Sequence, residues 1–320
     1  MTPDFVSQLG VADLQNTHYD LALFASGYEE RATHLPSLLA SGQVDRPSVL
    51  GFSALPEAPA RVANDSYFRN RWAAPIACAP DDDRLVYAAL SSLRTVPGTI
   101  HILVDYSSMS RDWYASVLSW LSTSDIRHRV SIDFAYSVGV EVAQAQPMPV
   151  LSIASVPGFE GISLKNRAVL VLGLGFDSLA PTAVLEQMEP ARVLAFVAAP
   201  AAADWHVDEA LRANQGLLAE YVASHDLLRL PLRDVCRCVS LLAELAAPIL
   251  GHYRVVFVPM GPKPHVLATL LTCLRLPEAG VLHVRSQRVR ADAIQPTGEL
   301  IITRVQWPME LDETIHLSRG

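Results

Sequence analysis

The chain predicts an α/β protein made of two tandem Rossmann-like units with mostly parallel sheets, and three observations predict it. Short apolar runs at 21–25, 100–104 and 168–172 alternate with segments whose apolar residues recur at helical spacing, the pattern of parallel strands covered by helices on both faces. Several of these runs break sharply into polar turns rich in Ser, Gly or Pro. The same order of elements then starts again. Gly27-Tyr28-Glu29 lies against Gly175-Phe176-Asp177, 148 positions later, and Asp105 lies against Pro259, 154 positions later. Self-similarity over so long a period reads as two copies of one unit, spanning 1–148 and 149–320.

Taken in order, the first unit holds strands at 21–25, 48–52, 100–104 and 130–136. Helical residues are expected up to Leu39, from Pro80 to Leu93, and after Arg111, where Trp113, Val117, Trp120 and Leu121 form one apolar stripe. The stretch from 53 to about 72 reads as polar and irregular. Ala, Gln and Pro at 143–149 mark the boundary between units, with Pro157-Gly158 as a second break. The second unit holds strands at 168–172, 192–197, 253–258 and 281–285, and helices up to Met188, over 208–222, over 235–250 and beyond His265. The run 299–307 reads as an edge strand returning to the sheet.

Composition narrows the function. With half its residues apolar and 18% charged, the chain is a folded globular protein rather than a disordered one. A net charge of −8 argues against sequence-independent binding of duplex DNA. The first residues lack the basic and apolar segments of a secretory signal, and the greasy runs at 193–203 and 241–250 are too short to cross a bilayer, so a cytoplasmic protein without a membrane partner is expected. Cys78, Cys236, Cys238 and Cys273 do not have zinc-site spacing, and Asp81 to Asp83 read as the first turn of a helix rather than a magnesium site. Neither metal nor cofactor is expected. Gly173-x-Gly175 lacks the third glycine of a dinucleotide fingerprint, and no Walker loop, H-E-x-x-H or Ser-His-Asp order occurs; no catalytic residue is assigned.

The candidate ligand residues are those at strand ends, where open α/β sheets bind their ligands. Asp105-x-Ser107-Ser108-x-x-Arg111 runs from a strand into a helix start. Its hydroxyls and helix N–H groups suit phosphate oxygens, its guanidinium can clamp a phosphate bidentately, and Asp105 can accept from a ribose or base. The alternative is a Ser cap with Arg111 paired to Asp112 or Asp105. After the earlier strands, Tyr28 and Phe176 can stack on a base while Glu29, Glu30 and Asp177 accept from it, with Arg31 and Gly175 beside them; covering the sheet and favouring the helix dipole is the alternative. In the second unit Pro259, Gly261 and His265 stand where Asp105, Ser107 and Arg111 stood, in a stiff, proline-rich loop whose Gly261 permits close approach of a ligand and from which Lys263 and His265 project as its polar side chains.

The D-x-S-x-x-x-R spacing of Asp105, Ser107 and Arg111, with the polar residues 26–30 after the first strand, resembles the CRISPR-associated Rossmann-fold (CARF) domains. The duplication is similar to the fused pair of such units in the SAVED domains of bacterial anti-phage systems. That resemblance implies a nucleotide sensor or accessory subunit, its ligand a nucleotide or cyclic oligonucleotide and its partner an effector or other defence protein. The rival readings are a nucleotide- or nucleoside-processing enzyme using Glu29, Glu30 or Asp177, with Lys263 and His265 stabilising charge, and a scaffold that binds no ligand.

Overall fold

The computed structural model describes residues 3, 5–93, 98–124, 129–140, 149–287 and 294–308. It is an α/β protein with two mostly parallel sheets. The central strands β2 (Leu21–Ser26) and β8 (Ala168–Gly173) are buried along their whole length, as strands covered on both faces must be.

The first sheet has the order β1-β13-β6-β5-β2-β3-β4. Its parallel part is β4 (Ile76–Cys78), β3 (Pro47–Phe52), β2, β5 (Ile100–Asp105) and β6 (Val130–Gly139). The second sheet has the order β10-β9-β8-β11-β12-β7. There the parallel part is β10 (Leu227–Leu230), β9 (Arg192–Ala198), β8, β11 (Arg254–Pro259) and β12 (Gly280–Ser286). Both units thus share one doubly wound strand order, with the winding reversing between β2 and β5 and between β8 and β11.

The sixth strand of each unit is exchanged. Strand β7 (Val150–Ser155) follows β6 in the chain but pairs antiparallel with β12. Strand β13 (Pro296–Trp307) follows β12 but pairs antiparallel with β6, and β1 (Phe5–Leu9) flanks it on the outside. The run 299–307 is therefore an interior strand of the first sheet rather than an edge. Residues within 149–320 complete the unit read as 1–148. A part-buried ion pair ties that strand in, since Arg304 donates from Nε at 2.7 Å and from Nη2 at 2.8 Å to the buried Asp133, which also accepts from the Tyr19 hydroxyl at 2.7 Å. Up to residue 148, the boundary expected at 143–149 lies outside the described residues.

Helices fill three layers. On the outer face of the first sheet lie α1 (Val11–Asn16), α2 (His34–Leu38) and α3 (Pro59–Arg71), and on the outer face of the second lie α6 (Leu179–Met188), α7 (Asp204–Ala213) and α8 (Gln215–Tyr221). Between the sheets lie α4 (Arg84–Ser91), α5 (Arg111–Thr123), α9 (Val235–Leu250) and α10 (Lys263–Arg275), in one core cluster drawn from both units. Helices α5 and α10 are buried on nearly every side, which their apolar run requires. Their buried hydroxyls bond back along the helix, as Ser116 does to the Asp112 carbonyl and Thr269 to that of His265, both at 2.8 Å.

Helix α3 occupies the stretch expected to be irregular. Its inward face is Arg61, Asn64 and Phe68, all buried, so two of the three core-facing positions are polar and the apolar spacing that marks a helix is missing. The segment 208–222 is likewise two helices, α7 and α8, meeting at the buried Asn214.

Candidate functional site

Each sheet has one point where its winding reverses, and the strand-end loops there are the expected ligand crevice. The two points differ. In the first unit the crevice is closed by side chains bonded to one another. Glu29 is buried and accepts from Arg31 Nε at 2.6 Å; the Arg31 Nη1 donates to the Tyr136 hydroxyl at 2.8 Å and the Ser137 carbonyl at 3.1 Å. Asp105 accepts from the Ser107 backbone N–H at 3.1 Å and from its hydroxyl, while the Ser107 Oγ accepts from the Ser137 N–H at 2.7 Å. Burial raises the Asp105 pKa to about 6, against the opposing pull of the Ser107 bonds and the charges of Lys263 and Arg31.

Ser108 is buried against Gly27, where an added Cβ would come within 2.8 Å of the Ser108 Cβ. Above them Tyr28 stacks on Phe52 with ring centroids 5.3 Å apart and donates its hydroxyl to the Ala54 carbonyl; Phe52 stacks in turn on Trp113 at 4.5 Å. Glu30 is exposed. The cap at this helix is Ser110, which accepts from the Trp113 N–H at 3.1 Å.

Arg111 and Lys263 meet the opposite unit. Arg111 Nη2 donates to the carbonyls of Met260 at 3.3 Å and Gly261 at 3.0 Å, in the loop after β11. Lys263 Nζ donates to the carbonyls of Tyr106 at 3.3 Å and Ser107 at 2.6 Å, in the loop after β5. These are the first residues of α5 and α10, so each unit's central helix begins with a cation laid on the other's strand-end carbonyls. Asp112, the next residue of α5, accepts from His283 at 2.9 Å and Arg285 at 3.0 Å on β12. Burial would raise its pKa, but the hydrogen bond and charge of His283 and then Arg285 outweigh it and hold the pKa low.

In the second unit the crevice is open. A cavity of about 170 Å³ lies beyond the carboxyl ends of β8, β9 and β11. Gly175, Phe176 and Gly261 line it together with Ala198, Ala201, Ala202, His206 and Met260; Tyr136, Val138 and Gly139 of β6 close it from the first unit. A Cβ on Gly175 would come 2.9 Å from the Met260 carbonyl and one on Gly261 2.9 Å from that of Leu174, so both loops need glycine to approach so closely. Phe176 stacks on Trp205 at 5.8 Å and meets His206 edge-on at 5.5 Å. Burial lowers the His206 pKa.

Three of the residues expected from sequence therefore meet in this cavity: Gly175, Phe176 and Gly261. Asp177 instead caps α6, accepting from the Leu179 N–H at 2.9 Å. His265 is buried edge-on to Phe196 at 5.7 Å, and burial pushes its pKa down to about 4. His206, Tyr136 and the alanines were not legible as site residues. One missed pair did carry a signal. Asn64 donates to the carbonyls of Gly27 at 3.0 Å and Glu29 at 2.9 Å, and Asn214 donates to that of Gly175 at 2.9 Å; the two asparagines stand 150 positions apart, matching the repeat. Among the described residues no group of three or more His, Cys, Asp or Glu could hold a metal ion, and no helix is long and apolar enough to cross a membrane.

No protein-family model and no curated protein matches this chain. Among solved structures it is similar to the cytoplasmic domain of a prokaryotic cation chloride cotransporter, at 9% identity over 84% of this chain and 96% of that one, with a TM-score of 0.23. A likeness at that level carries no argument.

Two outcomes follow from these contacts. Arg111→Ala removes a charged donor from two carbonyls, and hydrogen bonds of that kind contribute about 2 kcal/mol; chemical denaturation is expected to show a loss of that order, and an unchanged midpoint would show the contact to be idle. Asp105 has a folded-state pKa above its ordinary value of 3.8. Its stabilising contribution is thus complete below pH 3.8 and lost as pH rises through about 6. The melting temperature of Asp105→Asn, relative to the parent, is expected to rise between pH 5 and pH 8; a flat difference contradicts the shift.

Proposed function

We propose that this protein is a nucleotide sensor, which binds the base of its ligand in the second-unit cavity and passes occupancy to a partner protein. The observation that carries the reading is that Met260 and Gly261, which line the cavity, are also the acceptors of Arg111 from the other unit. A guest in the cavity therefore touches the loop by which the two units grip each other, which is what a sensor without chemistry of its own needs. Phe176 supplies a stacking face of the kind single bases use. The resemblance of Asp105, Ser107 and Arg111 to the CARF pattern makes a cyclic oligonucleotide ligand and a role in anti-phage defence the natural setting.

The enzymatic alternative draws no support from the acids. Glu29 is paired with Arg31, Asp177 caps α6, Glu30 is exposed, and among the described residues no Asp or Glu lines the cavity.

Calorimetric titration with mono-, di- and cyclic nucleotides, followed by chromatography of the mixtures, tests the reading. Binding without product is expected. Phe176→Ala is expected to weaken it at least about fivefold, the low end of a stacking contribution. Absence of heat with every nucleotide, or release of a product, would contradict it.

A further inference from the structure

Resting on that reading, we infer that the cavity accepts one uncharged ring of pyrimidine size, entering ring-first, and that sugar and phosphate stay outside it. Size is the first argument. A dry protein cavity of roughly 150 Å³ holds a benzene molecule, and this one measures about 170 Å³. That is room for a single six-membered heterocycle with its exocyclic atoms; a fused purine needs more.

Charge is the second argument. Among the described residues that line the cavity none carries a formal charge at neutral pH, and the two of them that titrate are Tyr136 and His206. The Tyr136 hydroxyl accepts from Arg31, and burial lowers the His206 pKa, which keeps its ring neutral at pH 7. A phosphate taken into such a lining would lose its hydration with no cation to replace it. The two cations that the sequence offered for that purpose, Arg111 and Lys263, lie on backbone carbonyls of the junction.

Shape is the third. Ala201 and Ala202 face the cavity beside Gly175 and Gly261, so part of its wall is thin and close to the backbone, while Phe176 gives it an aromatic side. A flat guest lies between such walls with its edge toward polar groups, and a neutral imidazole at His206 can donate to or accept from that edge.

The test compares uridine and cytidine, their 5′-monophosphates, and adenosine by calorimetry on the full chain, with Ala202→Leu as a variant that fills the cavity. A pyrimidine nucleoside is expected to bind within threefold of its monophosphate and at least tenfold more tightly than adenosine. Ala202→Leu is expected to abolish that binding while keeping a melting temperature no lower than the parent's. A monophosphate binding tenfold or more tightly than its nucleoside, or adenosine binding more tightly than either pyrimidine, would overturn this inference and leave the sensor reading standing. Silence from all five compounds and from cyclic nucleotides would overturn both.

Discussion

A cation at the first residue of a helix faces the positive end of the helix dipole, a position that ordinarily favours an acid. Arg111 and Lys263 both stand there, at the starts of α5 and α10. Each answers the unfavourable field by donating to two backbone carbonyls, and in each case the carbonyls belong to the strand-end loop of the other unit. The requirement is reciprocal. Neither helix start has these acceptors unless both units are docked, so the placing of the two helices fixes how the sheets face each other.

The other long-range features agree with that constraint. Strands β7 and β13 are traded between the units, and the cluster between the sheets draws its side chains from both. Docking also decides which strand-end crevice remains open. Around β2 and β5 the loops close over buried polar partners, with Lys263 adding its ammonium to the Ser107 carbonyl. Around β8 and β11 the glycines bring backbone against backbone, the nearby side chains are small, and a hollow is left under β6.

Much of the fold was legible because its carriers are local. The apolar runs of β2 and β8 and the long apolar faces of α5 and α10 have a pattern that names them. Helix α3 was hidden because Arg61 turns inward to the Phe52 carbonyl at the end of β3 and Asn64 to the Gly27 and Glu29 carbonyls after β2, placements that the hydrophobic pattern reads as surface. The fate of β13 was hidden for another reason: a strand's sequence fixes which face is buried, not which neighbour it pairs with. The same limit applies to the site. Gly175, Phe176 and Gly261 were found from their place after strands, whereas Ala201, Ala202 and Tyr136 have no chemical signature of their own. Sequence reasoning gives Arg111 and Lys263 an anion as partner, whereas the fold lays both on backbone carbonyls of the other unit, acceptors that no sequence pattern marks.

The exchanged strands and the shared core make the two units one cooperative body. Differential scanning calorimetry measures that directly, by comparing the enthalpy under the unfolding peak with the enthalpy given by the sharpness of the transition. Exchanged strands and a shared core require a single transition in which the two enthalpies agree. Two separable transitions, one for each unit, would contradict it.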